Sequence, residues 1–139
     1  PAILPTAIVI GGIGVDPTSR TVHSSGRLVR LGEVEFKLLA LLVSAPGAVF
    51  SRERLVEEFW PDRIFLDVRT VDQKIRRLRS ALIRGVAPDP IRSVRGKGYK
   101  FSETYATDYA TWLDKGRKRL HLEEIARRRK RVKDRPEQA

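Results

Sequence analysis

The chain has 139 residues, 41% of them hydrophobic and 32% charged, which is enough for one ordinary domain with a small extension. Its longest aliphatic run, residues 38–43, is far too short to cross a bilayer, and the absence of cysteine excludes disulfides and thiolate metal sites. The 28 Lys and Arg against 17 Asp and Glu give a net charge of +11, which points toward a polyanion or an anionic membrane surface as the partner. We expect a cytoplasmic protein that needs no cofactor.

The N-terminal part of the chain is a series of short apolar or alternating runs separated by turn residues. These runs cover residues 7–10, 13–16, 21–23 and 27–31, with Gly, Pro and Ser clusters between them. The pattern predicts a small antiparallel sheet built as a meander.

Two helices are predicted next. Apolar residues recur at three- and four-residue spacing from Glu33 until Pro46 ends the run. Ser51 is a suitable N-cap for a second helix, which ends at Trp60 because Pro61 cannot continue it.

The third predicted helix, residues 68–83 with Asp67 as its N-cap, has two chemically different faces. An apolar stripe with spacings of three and four must face the core: Val68, Val71, Ile75, Leu78 and Leu82. The other side carries long donors and amides suited to a DNA major groove: Arg69, Asp72, Gln73, Lys74, Arg76, Arg77 and Ser80. The alternative is an ordinary solvated face.

Two short strands, around 91–94 and 99–101, follow the helices, and Arg95, Gly96, Lys97 and Gly98 join them. A basic hairpin of this kind can enter a minor groove, and its alternative is a plain exposed turn. The order of elements predicts an α+β winged helix-turn-helix: an antiparallel sheet, a three-helix core and a hairpin wing.

Residues 27–101 resemble the DNA-binding effector domain of OmpR/PhoB-type response regulators. The motifs that carry the resemblance stand in order as LGEVEFKLL at 31–39, PGAVFSRERL at 46–55, RTVDQKIRRLR at 69–79 and IRSVRGKGYKF at 91–101. The resemblance implies a sequence-specific, double-stranded DNA-binding output domain of a bacterial two-component regulator of transcription, and not an enzyme.

The resemblance also implies a role for individual side chains. Phosphate contacts would come from Arg69, Thr70, Lys74, Arg76 and Arg79, and base contacts from Asp72, Gln73, Arg76 and Arg77. Arg95 would enter the minor groove, with Ser93, Gly96, Lys97 and Tyr99 on or near the backbone, and Trp60 would lie beside a phosphate.

Partners follow from the same resemblance. Two protomers would bind direct-repeat half-sites about one helical turn apart. The loop 61–67, with Asp62, Arg63 and Phe65, would contact RNA polymerase or its sigma subunit; an exposed Phe65 favours this role and a buried one favours a place in the core. The receiver domain that normally precedes such a module is absent, so the chain is either trimmed, as Pro1 suggests, or an orphan regulator.

The resemblance does not explain residues 103–139, so we divide the chain into a winged-helix domain, 1–102, and a basic extension, 103–139. Tyr105, Tyr109 and Trp112 have helical spacing and could lie on the domain, with the rest a basic arm for phosphates. A self-associating or polymerase-contacting helix is an alternative, and a disordered end from Lys130 is expected by default.

Two rival functions come from other classes. Gly11, Gly12 and Gly14 after an apolar run hint at a dinucleotide fold, but no adequate helix follows them, so we interpret the cluster as a turn. No Ser, His and Asp arrangement, carboxylate pair or phosphate loop has support in the sequence, so we do not expect an enzyme. A non-specific architectural nucleic-acid binder is the second rival, since charge alone would serve it.

Overall fold

The computed structural model describes residues 7–60, 68–84 and 87–134. Four strands, β1 Ile8–Ile10, β2 Ile13–Asp16, β3 Thr21–Ser24 and β4 Arg27–Val29, form an antiparallel meander in the order β1-β2-β3-β4. Every second residue of β2 and β3 is buried, which confirms the predicted meander and places its inner face on the core.

Three helices follow, α1 Glu33–Ser44, α2 Arg52–Phe59 and α3 Val68–Ile83, and their buried apolar side chains share one core with the inner face of the sheet. The Ser51 hydroxyl accepts a hydrogen bond from the Arg54 amide at 3.1 Å, so the predicted N-cap of α2 is confirmed. The strands β5 Ile91–Val94 and β6 Gly98–Phe101 form the hairpin, which pairs with the α1–α2 connection through Phe50 and Tyr99.

The sheet is fixed to the last turn of α3 by polar contacts. The buried Ser24 hydroxyl donates to the Leu82 carbonyl at 2.6 Å, and the Arg27 guanidinium donates to the Ala81 carbonyl at 2.8 Å. These carbonyls have no partner within the helix, so the sheet caps α3 and holds its position.

The extension forms one long helix, α4 Tyr105–Lys133. It runs past Lys130, where a disordered end was expected, and three i,i+4 ion pairs along it support the helical conformation. No helix in the described parts of the chain has both the length and the apolar character needed to span a membrane.

Aromatic side chains pack the first two turns of α4 against the rest of the domain. Tyr105 is fully buried, packs edge-to-face on Phe101 at 5.5 Å and donates to the Pro88 carbonyl at 2.9 Å. Tyr109 stacks on Trp112 at 5.6 Å, and its hydroxyl lies 3.0 Å from Ser25 Oγ. The start of the extension is therefore part of the folded unit.

Gly11 and Gly12, between β1 and β2, form the turn that the sequence indicates, and these rings pack on it. Gly14, predicted as part of the same turn, lies within β2 because it pairs with His23 of β3. A Cβ on Gly12 would overlap the ring of Tyr109, and one on Gly11 would lie 3.0 Å from Tyr105 Cδ2 and from Tyr109 Cβ. The absence of side chains on this turn is what lets α4 dock.

Candidate nucleic-acid interface

The two predicted faces of α3 are present. Val71, Ile75, Leu78 and Leu82 are buried, at 1% exposure or less, whereas Gln73, Arg76 and Arg77 are exposed. Gln73, Arg76 and Arg77 have no hydrogen-bond, ion-pair or ring partner among the described residues. Two guanidinium groups and an amide therefore point to solvent from a helix that the core holds rigidly.

Arg69 is also exposed on α3, and Thr70 beside it is half-buried. Both side chains belong to the first turn of the helix, directly after the segment 61–67.

Asp72 is engaged within the protein. Its Oδ1 accepts a 2.8 Å hydrogen bond from Arg52 Nε at the start of α2, and the same oxygen accepts a second hydrogen bond from the Tyr99 hydroxyl of the hairpin. Burial, and then the bond to Asp72, raise the pKa of Tyr99, so this hydroxyl stays protonated and remains a donor. Asp72 therefore links the two helices to the hairpin.

Two further cations of α3 have partners in the protein. Lys74 Nζ lies 3.5 Å from Oε1 of the buried Glu35. Arg79 donates to the Ile91 carbonyl at 2.8 Å, and its Nε lies 3.2 Å from Asp89 Oδ2. These three contacts hold the helix to α1 and to the base of the hairpin.

The tip of the hairpin is exposed. Arg95, Gly96 and Lys97 project from it without side-chain partners among the described residues, and Ser93 is exposed on β5. Gly98 has φ +144°, and a Cβ there would overlap the Phe50 carbonyl oxygen. Only glycine fits this close approach, which seats the hairpin against the α1–α2 connection.

Trp60, the other predicted phosphate contact, ends α2 and is half-buried, with its ring edge-to-face on Phe59 at 6.4 Å. The loop residues Asp62, Arg63 and Phe65, and the predicted cap Asp67, lie outside the described residues.

One residue of the site escapes sequence reasoning. Arg52 bonds Asp72 and lies over the ring of Tyr99, 5.8 Å from its centroid. The bonds to Tyr99 and Asp72 raise its pKa. Its position after the Ser51 cap carries no signal for a partner twenty residues away.

The arrangement can bind an anionic groove. Arginine can fork to guanine and glutamine can pair with adenine, while cations on the flanks neutralise phosphates. Within residues 7–60, 68–84 and 87–134 no cluster of three or more metal-ligating side chains occurs.

Comparison with known proteins gives consistent matches. Residues 26–101 match the family model "Transcriptional regulatory protein, C terminal". The phosphate regulon transcriptional regulatory protein PhoB of Rhizobium meliloti is 48% identical over 99 residues, which is 71% of this chain and 44% of the relative. PhoB of Escherichia coli is 38% identical over 105 residues, 76% of this chain and 46% of the relative. The chain thus spans less than half the length of these relatives.

Solved structures of similar fold come from the same kind of protein. DrrB, an OmpR/PhoB homologue from Thermotoga maritima, has a TM-score of 0.62 at 33% identity, covering 69% of this chain and 44% of that one. The DNA-binding domain of RstA from Klebsiella pneumoniae, solved in complex with RstA box, has a TM-score of 0.59 at 32% identity, covering 69% and 96%.

Proposed function

The chain belongs to the OmpR/PhoB-type family of C-terminal DNA-binding domains of transcriptional regulatory proteins, with the winged-helix fold that its motifs predict, and we propose from this that it binds duplex DNA at specific sequences as the output domain of a two-component response regulator. The observation that carries the proposal is a set of exposed side chains, Gln73, Arg76 and Arg77, on a rigid helix beside a hairpin with exposed cations, none of which has a side-chain partner among the described residues. The likeness to RstA, solved in complex with RstA box, supports it. The proposal gives the chain no catalytic step and no cofactor.

In this proposal α3 enters the major groove, where Gln73, Arg76 and Arg77 reach base edges. Arg69 and Thr70 contact phosphates at the start of the helix. Asp72 takes another role, because its carboxylate already accepts from Arg52 and Tyr99. It holds α3, α2 and the hairpin in register, so that the reading side chains meet the groove at one angle.

Lys74 and Arg79 flank the reading face, and each keeps a partner inside the protein. We assign them to phosphates, since a cation with remaining N–H donors can serve a carboxylate and a phosphate together. Trp60 would present its ring edge to the backbone at the end of α2.

The hairpin would enter the neighbouring minor groove. Arg95 at its tip is exposed and has no partner in the part of the chain that the structure describes, and a narrow groove at A·T-rich sequence attracts such a cation most strongly. Lys97 and Ser93 would lie on the adjoining phosphates, with Gly96 permitting close approach and Tyr99 bracing the hairpin from within.

The wider assembly is also a proposal, since the relatives are more than twice as long as the stretch they share with this chain. Two protomers would occupy direct-repeat half-sites in the bacterial cytoplasm. The loop with Asp62, Arg63 and Phe65 would face RNA polymerase or its sigma subunit, as the family resemblance implies.

Selection of bound duplexes from a random pool, at near-physiological salt, tests the proposal. We expect an enriched motif, which Arg77→Ala relaxes at one base pair with a loss of about 1 to 3 kcal/mol. Lys37→Ala is the matched control, because it removes one charge from α1 and leaves α3 and the hairpin intact. An equal, sequence-independent loss in both variants, or no motif at all, would mean a non-specific architectural binder.

A further inference from the structure

The long helix α4 lies outside the region that the family model matches, residues 26–101, yet it is firmly attached. Tyr105 and Tyr109 hold its first two turns against the turn at Gly11 and Gly12. After Trp112 the helix continues for 21 residues, about 31 Å at 1.5 Å per residue, with every side chain exposed or half-buried. The result is a rigid rod that projects from a fixed point near the base of the hairpin.

Ion pairs stabilise this rod in the absence of a core. Asp114 pairs with Lys118, Glu123 with Arg127, and Glu124 with Arg128 and Arg131, at distances of 3.0 to 4.0 Å. In the three i,i+4 pairs the acid precedes the base, which is the favourable orientation along a helix. Lys130, Arg131 and Lys133 in the last turn complement the helix dipole.

The remaining cations of the rod are segregated. At about 100° per residue, five of the six remaining Lys and Arg fall within one sector of about 100°: Lys115, Arg119, Arg129, Lys130 and Lys133. The sixth, Arg117, and the acids Asp114, Glu123 and Glu124 fall outside it. All five are exposed and have no partner among the described residues. We call these five side chains the basic face of α4; it extends about 27 Å from the first of them to the last.

We propose that the basic face of α4 binds the phosphate backbone of duplex DNA that flanks the site occupied by α3 and the hairpin. The proposal rests on the proposed function, since the same chain must first sit on DNA. Charge complementarity favours this occupant: the face presents only cations as charged groups, over a span comparable to eight base pairs at about 3.4 Å each.

Other occupants fit less well. The exposed Leu120, Leu122 and Val132 lie in three different directions around the helix, so no apolar stripe exists for a second copy or for a lipid surface. Two copies would also bring their basic faces together with like charge.

The test is the salt dependence of binding of the full chain to a mixed-sequence 40-base-pair duplex. One variant replaces the basic face: Lys115→Gln, Arg119→Gln, Arg129→Gln, Lys130→Gln and Lys133→Gln. The matched control removes five cations from the other sides of the same helix: Arg117→Gln, Lys118→Gln, Arg127→Gln, Arg128→Gln and Arg131→Gln. Circular dichroism verifies that both remain helical.

We expect the slope of log K against log[salt] to become less steep by about 0.9 per lost phosphate contact in the basic-face variant. With three lost contacts, the fall in affinity between 50 and 200 mM salt is about 40-fold smaller in this variant than in the wild type. The control should keep a slope closer to wild type, although it leaves the acids of α4 uncompensated. Equal slope changes in both variants, or none, would overturn the proposal.

Two further outcomes separate this inference from the proposed function. A retained sequence motif with an unchanged salt slope in the basic-face variant refutes only the role of α4. A changed slope without any selected motif refutes sequence-specific binding and leaves the phosphate contact of α4 standing. The same comparison is made with double-stranded RNA. If substitution of the basic face lowers the affinity for RNA more than the affinity for DNA, then α4 binds RNA and the proposal is wrong.

Discussion

Replacement of Asp72 separates two roles for this side chain. The family resemblance implies that it reaches a base edge, whereas the structure has it accepting hydrogen bonds from Arg52 and Tyr99. We expect Asp72→Ala to lower the free energy of unfolding and to leave the base preference of the selected DNA motif unchanged.

The magnitude follows from the two contacts. A hydrogen bond to a charged group contributes about 1.5 to 3 kcal/mol to stability. The bond from Tyr99 to Asp72 is of this kind, and Tyr99 is only 6% exposed, so water screens the bond little from the side of Tyr99. The Arg52 pair adds little to this, because its side chains are 45% and 35% exposed and water screens their attraction. Since water still reaches Asp72, we expect a total of about 2 kcal/mol for Asp72→Ala, and less for Asp72→Asn, which keeps an acceptor.

Urea unfolding followed by tryptophan fluorescence measures this loss, and a cycle with Tyr99→Phe isolates the pair. The double variant should be more stable than additivity predicts, by about 1 to 2 kcal/mol, because the two single changes remove the same bond. Unchanged stability together with an altered preference at one base pair would refute the reasoning and return Asp72 to the reading face.

Three other predictions concern the hairpin and the anchor of α4. Arg95→Ala should weaken binding to sites with an A·T-rich minor groove more than to G·C-rich ones, and a loss indifferent to that sequence would demote Arg95 to a phosphate contact. Gly98→Ala should cost more than about 1 kcal/mol in urea unfolding, because its Cβ meets the Phe50 carbonyl; Gly96→Ala, with open space around the added carbon, should cost less, and equal costs would contradict the overlap. Burial raises the pKa of Tyr105 to about 12, so the contribution of its neutral hydroxyl is complete below pH 10 and is lost between pH 10 and 12. The stability difference between wild type and Tyr105→Phe should therefore fall by on the order of 2 kcal/mol across that window, and a difference independent of pH would refute the assignment.

Local signals were sufficient for most of the fold. The apolar stripe of α3 and the cap at Ser51 are set by neighbours within a few residues, so α3 has the predicted bounds, Val68–Ile83, and α2 begins where expected. The strands of the meander match for the same reason, since alternation and turn residues are readable along the chain.

The partners of the polar side chains were not predictable in this way. Asp72 and Arg52 are far apart in sequence, and Lys74 meets Glu35 from another helix. A charge on a helix surface has the same pattern in sequence whether it faces solvent or a carboxylate brought close by the fold. The length of α4 was missed because its apolar spacing is broken, while the ion pairs that support it need no apolar stripe.

Gly12 shows how a turn residue gains a second role through a distant element. We expect Gly12→Ala to displace the ring of Tyr109, which would lose its contact with Ser25 and loosen the first turns of α4. Amide hydrogen exchange across residues 105–112 should accelerate, whereas Gly14→Ala, whose Cβ would meet only Val9 Cγ2 at 3.8 Å, should leave it unchanged. Tyr109→Ala should accelerate exchange similarly. Adding Gly12→Ala to it should have little further effect, since each change alone already removes the Tyr109 ring from the turn. Additive effects, or unchanged exchange in Gly12→Ala, would mean that something other than this turn holds the helix, and the fixed direction of its basic face would lose its physical basis.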